Sequence, residues 1–255
     1  MQRYFVAPEA FTDRQVTLAG DDARHIVRVM RMKEGDEVIV SDGAGREALA
    51  VLRRLAPDQV EAEVAEIRPV TGEPVWSVTI AQSLPKGDKM ELVIQKGTEI
   101  GAVSFLPFES ERMIVQYDAK KEGKRLERWR KIAKEAAEQA HRSMIPDVEP
   151  VCSWKQLIDR MSGYDAVLFC YERAGGSVTS GLRGLLAGLA FPGGAKPRLL
   201  IVVGPEGGFT EREAEEAEAA GARLVGLGPR ILRTETAAMV ALTCVMYESG
   251  EMGGS

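Results

Sequence analysis

A chain of 255 residues, 45% hydrophobic and 28% charged, is long enough for one large core or for a small domain plus a medium one. No apolar run reaches the roughly 18 residues of a membrane helix, and Glu9, Asp13 and Arg14 interrupt any signal-peptide core after Met1–Val6, so a cytoplasmic globular protein with no membrane attachment is expected. A net charge of −5 excludes a uniformly basic nucleic-acid coat, and three scattered cysteines (Cys152, Cys170, Cys244) with two histidines (His25, His141) give neither a disulfide framework nor a metal centre, so buried reduced thiols are expected.

Residues 1 to about 70 read as mostly β. Asp21 to Val29 has the pattern of a short helix with an acidic N-terminus. Glu37–Gly43 is a short strand running into a turn, Arg46–Leu55 its hairpin partner, and Val60–Ile67 alternates with period two as a half-buried strand does. These elements predict a small barrel-like module. Arg68–Pro74 breaks the pattern and is the expected linker.

From Val75 strands and helices alternate. Trp76–Ala81 is a strand. After Pro85-Lys86-Gly87-Asp88 a helix carries Met90, Val93, Ile94, Gly97 and Ile100 on one face. Ser104–Pro107 is a second strand. Lys124–His141 is a long helix with Leu126, Trp129, Ala133, Ala136, Ala137 and Ala140 inward, ended before Pro146. Asp165–Cys170 and Arg198–Val203 are apolar enough for buried parallel strands. Thr210 and Glu213 form a capping box for the next helix, and Gly221 suits the position after its end. Arg223–Leu227 is a strand, and Thr234–Tyr247, with Thr234 as its N-cap, the final helix. The alternation predicts an α/β domain over 75–255 with a parallel sheet covered on both faces.

Charge is unevenly spread. Arg112 to Lys134 holds nine Lys/Arg against Asp118, Glu122 and Glu127, a surplus of six, and Arg24, His25, Arg28, Arg31 and Lys33 form a shorter cluster. Such clusters suit a phosphate-binding face; charge alone does not separate that from solvated helix surface.

Two loops carry the chemistry. Val203-Gly204-Pro205-Glu206-Gly207-Gly208-Phe209-Thr210 joins a buried strand to a capped helix at the carboxyl end of the sheet, where α/β folds bind ligands. It has neither the Lys-Ser/Thr pair of a phosphate loop nor the GxGxxG spacing of a dinucleotide fold, so it suits a ligand other than a polyphosphate. Gly226–Ala237 is a second strand-to-helix loop with Gly228-Pro229, where Leu227, Ile231 and Leu232 could wall an adenine. Gly-Pro loops after consecutive strands point to one shared pocket.

Together these residues resemble the SPOUT superfamily of RNA methyltransferases and, more closely, the 16S rRNA uracil-N3 methyltransferases of the RsmE family. The resemblance covers nearly the whole chain: Arg3-Tyr4-Phe5-Val6, His25–Arg31, Gly35-Asp36, Gln95–Gly101, Glu111-Arg112, Ala136–Gln139 with Arg142, Gly204–Thr210 and Gly228–Ala237. Gly97 stands where the family pattern has Ala, and Met30 where it has Leu. The resemblance implies a PUA-like N-terminal RNA-binding barrel, a C-terminal domain tied in a deep trefoil knot around S-adenosylmethionine, a homodimer with its active site at the interface, and a uridine in the decoding region of the small ribosomal subunit as target.

Uracil N3 attacks a methyl group only once its proton leaves, so the site needs an anion stabiliser and a proton acceptor. Arg233 is the candidate guanidinium, and Glu206 or Glu235 the acceptor if its pKa is raised; Glu235 can also be read as a helix-start residue. Gly204, Glu206, Gly208, Leu227, Gly228, Ile231, Leu232 and Thr236 are the candidate cofactor contacts, mostly through backbone. Arg3, Arg24, His25, Arg28 and Arg31 are candidates for rRNA contact from the barrel, and Lys86, Lys96, Arg112 and Arg142 from the second domain. His25 also admits a structural role, and Arg142 the role of a helix C-terminal partner. Two rival readings stand beside this one: a SPOUT enzyme acting on tRNA, for instance at a ribose hydroxyl, and a ribosome-assembly factor that binds RNA without catalysis.

Overall fold

The computed structural model describes residues 1–114, 122–171, 182–189 and 196–253. Of the basic cluster noted above, Asp118, Lys120 and Lys121 lie outside the described residues. Two compact units emerge: Met1–Glu73 with Lys134–Ile145, and Pro74–Ala133 with Pro146–Ser255. The sequence reading runs the second domain unbroken from 75 to 255, whereas Lys134–Ile145 packs with the first unit.

The first unit is a curled five-stranded half-barrel in the order β1 (Arg3–Phe5), β3 (Glu37–Ser41), β4 (Glu47–Ala56), β5 (Gln59–Arg68), β2 (Gln15–Ala19). β1 pairs parallel to β3, and the other pairs are antiparallel. β1 and β2 are short and were not anticipated. Period-two alternation does the packing: Val16 and Leu18, Val38 and Val40, Ala48, Ala50 and Leu52, Val60 and Ala62 all turn into one core. The anticipated helix at 21–29 is one α-turn, α1 (Asp21–Arg24), followed by a π-helical turn over His25–Val29 that buries Ile26.

The second unit holds a six-stranded sheet, parallel throughout, in the order β11 (Arg223–Val225), β9 (Ala166–Cys170), β10 (Arg198–Val203), β6 (Ser77–Ser83), β7 (Ser104–Phe108), β8 (Asp147–Val148). Both faces are covered, as the apolar strands require. Leu200 and Val202 of β10, Val167 and Phe169 of β9, and Leu106 of β7 pack with α4 (Trp154–Met161) and α6 (Glu211–Ala219). The opposite face meets α2 (Lys89–Ile100) and α7 (Thr234–Glu248), which also pack on each other. α5 (Leu182–Ala187) packs against α7, and α3 (Glu122–Gln139) crosses the division between the units.

Helix ends follow sequence chemistry where the partners are local. The Thr210 hydroxyl accepts the Glu213 N–H at 3.2 Å, and the Glu213 carboxylate accepts the Thr210 N–H at 2.8 Å, completing the capping box. α7 departs from expectation: its N-cap is Arg233, without a side-chain cap, and Thr234 is already helical because its hydroxyl is engaged elsewhere. The thiols differ too. Cys152 is buried, but Cys244 on α7 is exposed.

The unexpected Gly97 has a packing reason. An added Cβ would lie 2.7 Å from the Phe105 ring and 3.1 Å from Ile80 Cδ1, both side chains fully buried. Gly97→Ala gains about 1 kcal/mol of helix propensity and loses about 1–3 kcal/mol to overpacking. A net loss of up to about 2 kcal/mol is expected in urea unfolding; a stabilised variant would show that the Phe105 ring yields freely.

Candidate active site

β10 and β6 end side by side at the carboxyl edge of the sheet, with Val203 in register with Gln82. Gln82 and Ser83 are polar residues in the Ile80–Ser83 stretch that the strand buries completely, and Gln82 acts as a junction. Its Nε2 lies 2.8 Å from the Thr234 hydroxyl oxygen, 3.0 Å from the Ser83 carbonyl and 3.3 Å from the Gly204 carbonyl. The Thr234 hydroxyl in turn donates to the Gly204 carbonyl at 2.6 Å. The two glycine loops are therefore tied together at their bases, Gly204 on one and Thr234 on the other, as the shared-pocket reading requires.

The first loop is held in a tight turn. The Gly208 N–H donates to the Pro205 carbonyl at 2.9 Å, and Gly208 adopts φ +66°, a conformation that a side chain would strain. Gly207 is glycine for space: a Cβ there would come within 2.9 Å of the Arg112 carbonyl oxygen, which as backbone cannot move aside. Phe209 anchors the loop in the core, its ring 4.2 Å from that of Phe169 and stacked at 6.3 Å on Phe108.

Glu206 and Glu235 come from different loops and share one lysine. Glu206 Oε1 accepts from Lys89 Nζ at 2.6 Å and from the Lys86 N–H at 3.0 Å. Partial burial pushes the Glu206 carboxyl up, but Lys89 and the N–H donors outweigh it and hold the group below the usual carboxylate range. Glu206 thus lacks the raised pKa that a proton acceptor would need, a correction to the reading from sequence. Glu235 lies in the first turn of α7 with Lys89 Nζ 3.9 Å away. It is buried, and its Oε2 has no hydrogen-bond partner among the described residues. Gln82 Oε1 is a second buried acceptor in the same condition.

In the second loop Leu227 and Leu232 are half-buried and Gly228 is exposed, while Ile231, expected as a pocket wall, is 85% exposed in the single chain. Thr236 is half-buried. Arg233 is exposed and makes no hydrogen bond or ion pair with the described residues.

The candidate RNA contacts divide sharply. Arg3 and Arg142 are corrected: both are buried and spent on structure. Arg3 grips Glu47 through both terminal guanidinium nitrogens, Nη1 and Nη2, at 2.5 and 3.2 Å, and Arg142 pairs with Glu73 at 2.7 Å. Arg24 is exposed but paired with Asp21 and Asp58. His25 Nδ1 lies 2.9 Å from the Tyr4 hydroxyl, which fits its structural reading. Arg28 and Arg31 remain exposed, and Arg31 takes a left-handed φ of +52°. Lys96 pairs with Glu99 at 2.7 Å. Lys86 is exposed, and Arg112 donates to the Phe209 carbonyl at 3.2 Å, bracing the first glycine loop.

A family described as RNA methyltransferase domain matches residues 71–246, and one described as RNA methyltransferase PUA domain matches residues 18–65. Ribosomal RNA small subunit methyltransferase E of Bacillus subtilis (strain 168) is 43% identical over 262 aligned residues, spanning 100% of this chain and 99% of its own length. The chain belongs to the ribosomal RNA small subunit methyltransferase E family. The enzyme of that name from Mycobacterium tuberculosis (strain CDC 1551 / Oshkosh) is 36% identical over 89% of this chain and 84% of its own length. A crystal structure of the Neisseria gonorrhoeae methyltransferase E bound to S-adenosyl methionine superposes with a TM-score of 0.82 at 32% identity, covering 97% of each chain.

For a methyltransferase E, the two tied glycine loops are the expected ligand-binding edge. Sequence reasoning missed Gln82 and Lys89. Gln82 carried a usable signal, since a long polar side chain at the carboxyl end of a buried strand needs a hydrogen-bonding reason to be there. Lys89 carried none, because a lysine at the start of an amphipathic helix is ordinary surface.

Proposed function

We propose that this chain binds S-adenosylmethionine at the tied glycine loops and transfers its methyl group to N3 of a uridine in 16S ribosomal RNA of the small subunit. The observation that carries the reading is the junction of Gln82, Gly204 and Thr234, which brings the family's two signature loops together beside two buried acceptor atoms that take no hydrogen bond from the described residues. S-adenosylmethionine is a donor-rich cation with an ammonium, an adenine amine and ribose hydroxyls, so Gln82 Oε1 and Glu235 Oε2 suit it. When bound, the cofactor supplies an activated methyl group. Gly204, Gly208, Leu227, Gly228, Leu232 and Thr236 then hold it, and Gly208's left-handed turn presents backbone without side-chain obstruction. Arg233 stabilises negative charge on the uracil as N3 loses its proton. Of the two glutamates, Glu235 is the better proton acceptor, since Glu206 is committed to Lys89.

The active unit in this reading is a homodimer working in the cytoplasm, with the C-terminal chain threaded as a trefoil knot. α7 supports the dimer. Its sequence is apolar on nearly every side, yet Cys244 and Tyr247 are exposed and Met239 and Val240 only half-covered, with Ile231 bare beside its start. A helix apolar all round is normally buried, and a second copy would cover these residues. The PUA-like half-barrel contributes Arg28 and Arg31 to the rRNA.

The reaction is tested with labelled S-adenosylmethionine, small ribosomal subunits lacking the modification, and tRNA as a parallel substrate. Mass spectrometry of the nucleosides should find 3-methyluridine in the rRNA alone. Label in tRNA or on a ribose would refute the substrate, and cofactor binding without transfer to any RNA would point to a non-catalytic assembly factor.

A further inference from the structure

The loop that holds Glu206 has a second side. Leu84, Pro85 and Gly87, with the start of α2, form one wall of a cleft of about 500 Å³ whose other wall is the N-terminal half of α3. This volume falls within the roughly 300–1,000 Å³ of small-ligand sites. The floor is apolar: Leu84, Met90 and Trp129 are each at most 4% exposed. The walls are chemically opposite. α3 contributes Lys124, Arg125 and Arg128, which at spacings of one, three and four residues fall on one side of the helix. Arg128 pairs with Glu91 across the cleft at 2.7 Å, whereas Lys124 and Arg125 make no ion pair or hydrogen bond with the described residues. Facing them is Asp88, the N-cap of α2, whose carboxylate makes no side-chain cap bond.

We infer that this cleft is a ribonucleotide subsite, holding one nucleotide of the RNA strand that flanks the methylated base. Two adjacent unpaired cations repel each other and are relieved by a phosphodiester. The free acceptor opposite suits a ribose hydroxyl or a base amine, and an apolar floor between them suits the faces of sugar and base. A bare anion would use the cations and leave Asp88 opposed, and an apolar ligand would use neither wall. Position agrees with chemistry: Lys86 N–H and Lys89 Nζ, at the rim of the same loop, bond Glu206 of the first glycine loop, so a strand lying in the cleft leads toward the proposed methyl-transfer site. The inference rests on the proposed function for the identity of the strand; the site itself does not depend on methyl transfer.

The test is binding of a short fluorescent single-stranded oligoribonucleotide to the full chain across a salt series, with S-adenosylmethionine affinity measured in parallel. Lys124→Gln/Arg125→Gln should weaken RNA binding at least tenfold and lower the salt slope by about 1–2, leave cofactor affinity unchanged, and raise KM rather than lower kcat in methyl transfer. Lys124→Glu/Arg125→Glu should weaken RNA binding further, and Asp88→Asn should weaken binding of the oligonucleotide without changing the salt slope. RNA affinity and slope equal to the unmodified protein's would overturn the assignment, as would inorganic phosphate competing as well as the oligonucleotide does, or loss of cofactor affinity with the RNA. Weakened RNA binding in a protein that methylates no RNA would uphold the cleft and refute the reaction; normal methylation with unaltered RNA binding would refute the cleft alone.

Discussion

Arg233→Ala should lower methyl transfer at least a hundredfold while leaving S-adenosylmethionine affinity within a few-fold. Removing one preorganised donor from a charge-developing centre costs about a hundred- to a thousandfold in rate, and nothing in the fold opposes assigning that whole loss to chemistry. Arg233 is exposed and spends its guanidinium on no described residue. Its backbone, by contrast, is fixed: it is the N-cap of α7, its carbonyl accepts the Ala237 N–H at 2.8 Å, and its neighbour Thr234 is bonded to the Gly204 carbonyl. A side chain idle in the folded chain but held at its root is what a transition-state contact requires, since no structural partner is lost when it is shortened. Thermal unfolding of the variant should match the unmodified protein. Arg233→Lys should recover only part of the rate, because a point charge does not reproduce the planar fork. Turnover unchanged in Arg233→Ala would remove this residue from the reaction.

The second large effect is on stability. Glu47→Ala should cost about 3–5 kcal/mol, the usual penalty for stranding one member of a buried ion pair. The Arg3 and Glu47 side chains are 6% and 4% exposed. Arg3 Nη1 also donates to the Arg142 carbonyl at 3.1 Å, and the Ser143 hydroxyl donates to Glu47 Oε2 at 2.7 Å. Glu73 completes the network, accepting from Arg142 and from the Ser143 and Met144 N–H groups at 2.9 and 3.0 Å. Truncating Glu47 leaves the buried Arg3 guanidinium without its carboxylate, while the Ser143 hydroxyl keeps the Thr71 carbonyl at 3.1 Å as an acceptor. Arg3→Met/Glu47→Met, which removes both charges and keeps the volume, should regain most of the loss, and urea unfolding of the single and double variants separates charge stranding from lost packing. A loss below about 1 kcal/mol for Glu47→Ala would show that water reaches Arg3.

This network also shows where a linear reading misleads. Arg3 and Arg142 looked like free cations suited to RNA, because both are arginines in segments shared with an RNA-methylating family. Their partners lie 44 and 69 residues away, and no local pattern encodes them. Glu206 was misread for the same reason, since its ordinary neighbours gave no sign of Lys89, 117 residues earlier in the chain. Thr234 had the composition of an N-cap, yet its hydroxyl found a better-placed carbonyl on the other glycine loop.

Short-range physics, in contrast, was legible over most of the chain, the turn at His25–Val29 and the short strands β1 and β2 being the exceptions. The capping box of Thr210 and Glu213 involves residues three apart, the hairpin of β3 and β4 forms as the strand–turn–strand pattern of Glu37–Leu55 predicts, and the runs Asp165–Cys170 and Arg198–Val203 are apolar enough for buried parallel strands. The two glycine loops and their order along the chain were likewise plain, and with them the family. The sequence by itself therefore determined the alternation of elements, the helix ends set by local donors, and the place of the two glycine loops at the ends of their strands. Only the tertiary structure decided which charges face solvent and which are consumed: Lys89 for Glu206, Glu47 for Arg3, Glu73 for Arg142. The reason is physical, since backbone conformation is set by neighbours within a few residues, whereas the fate of a charge depends on whatever the fold brings within about 4 Å of it.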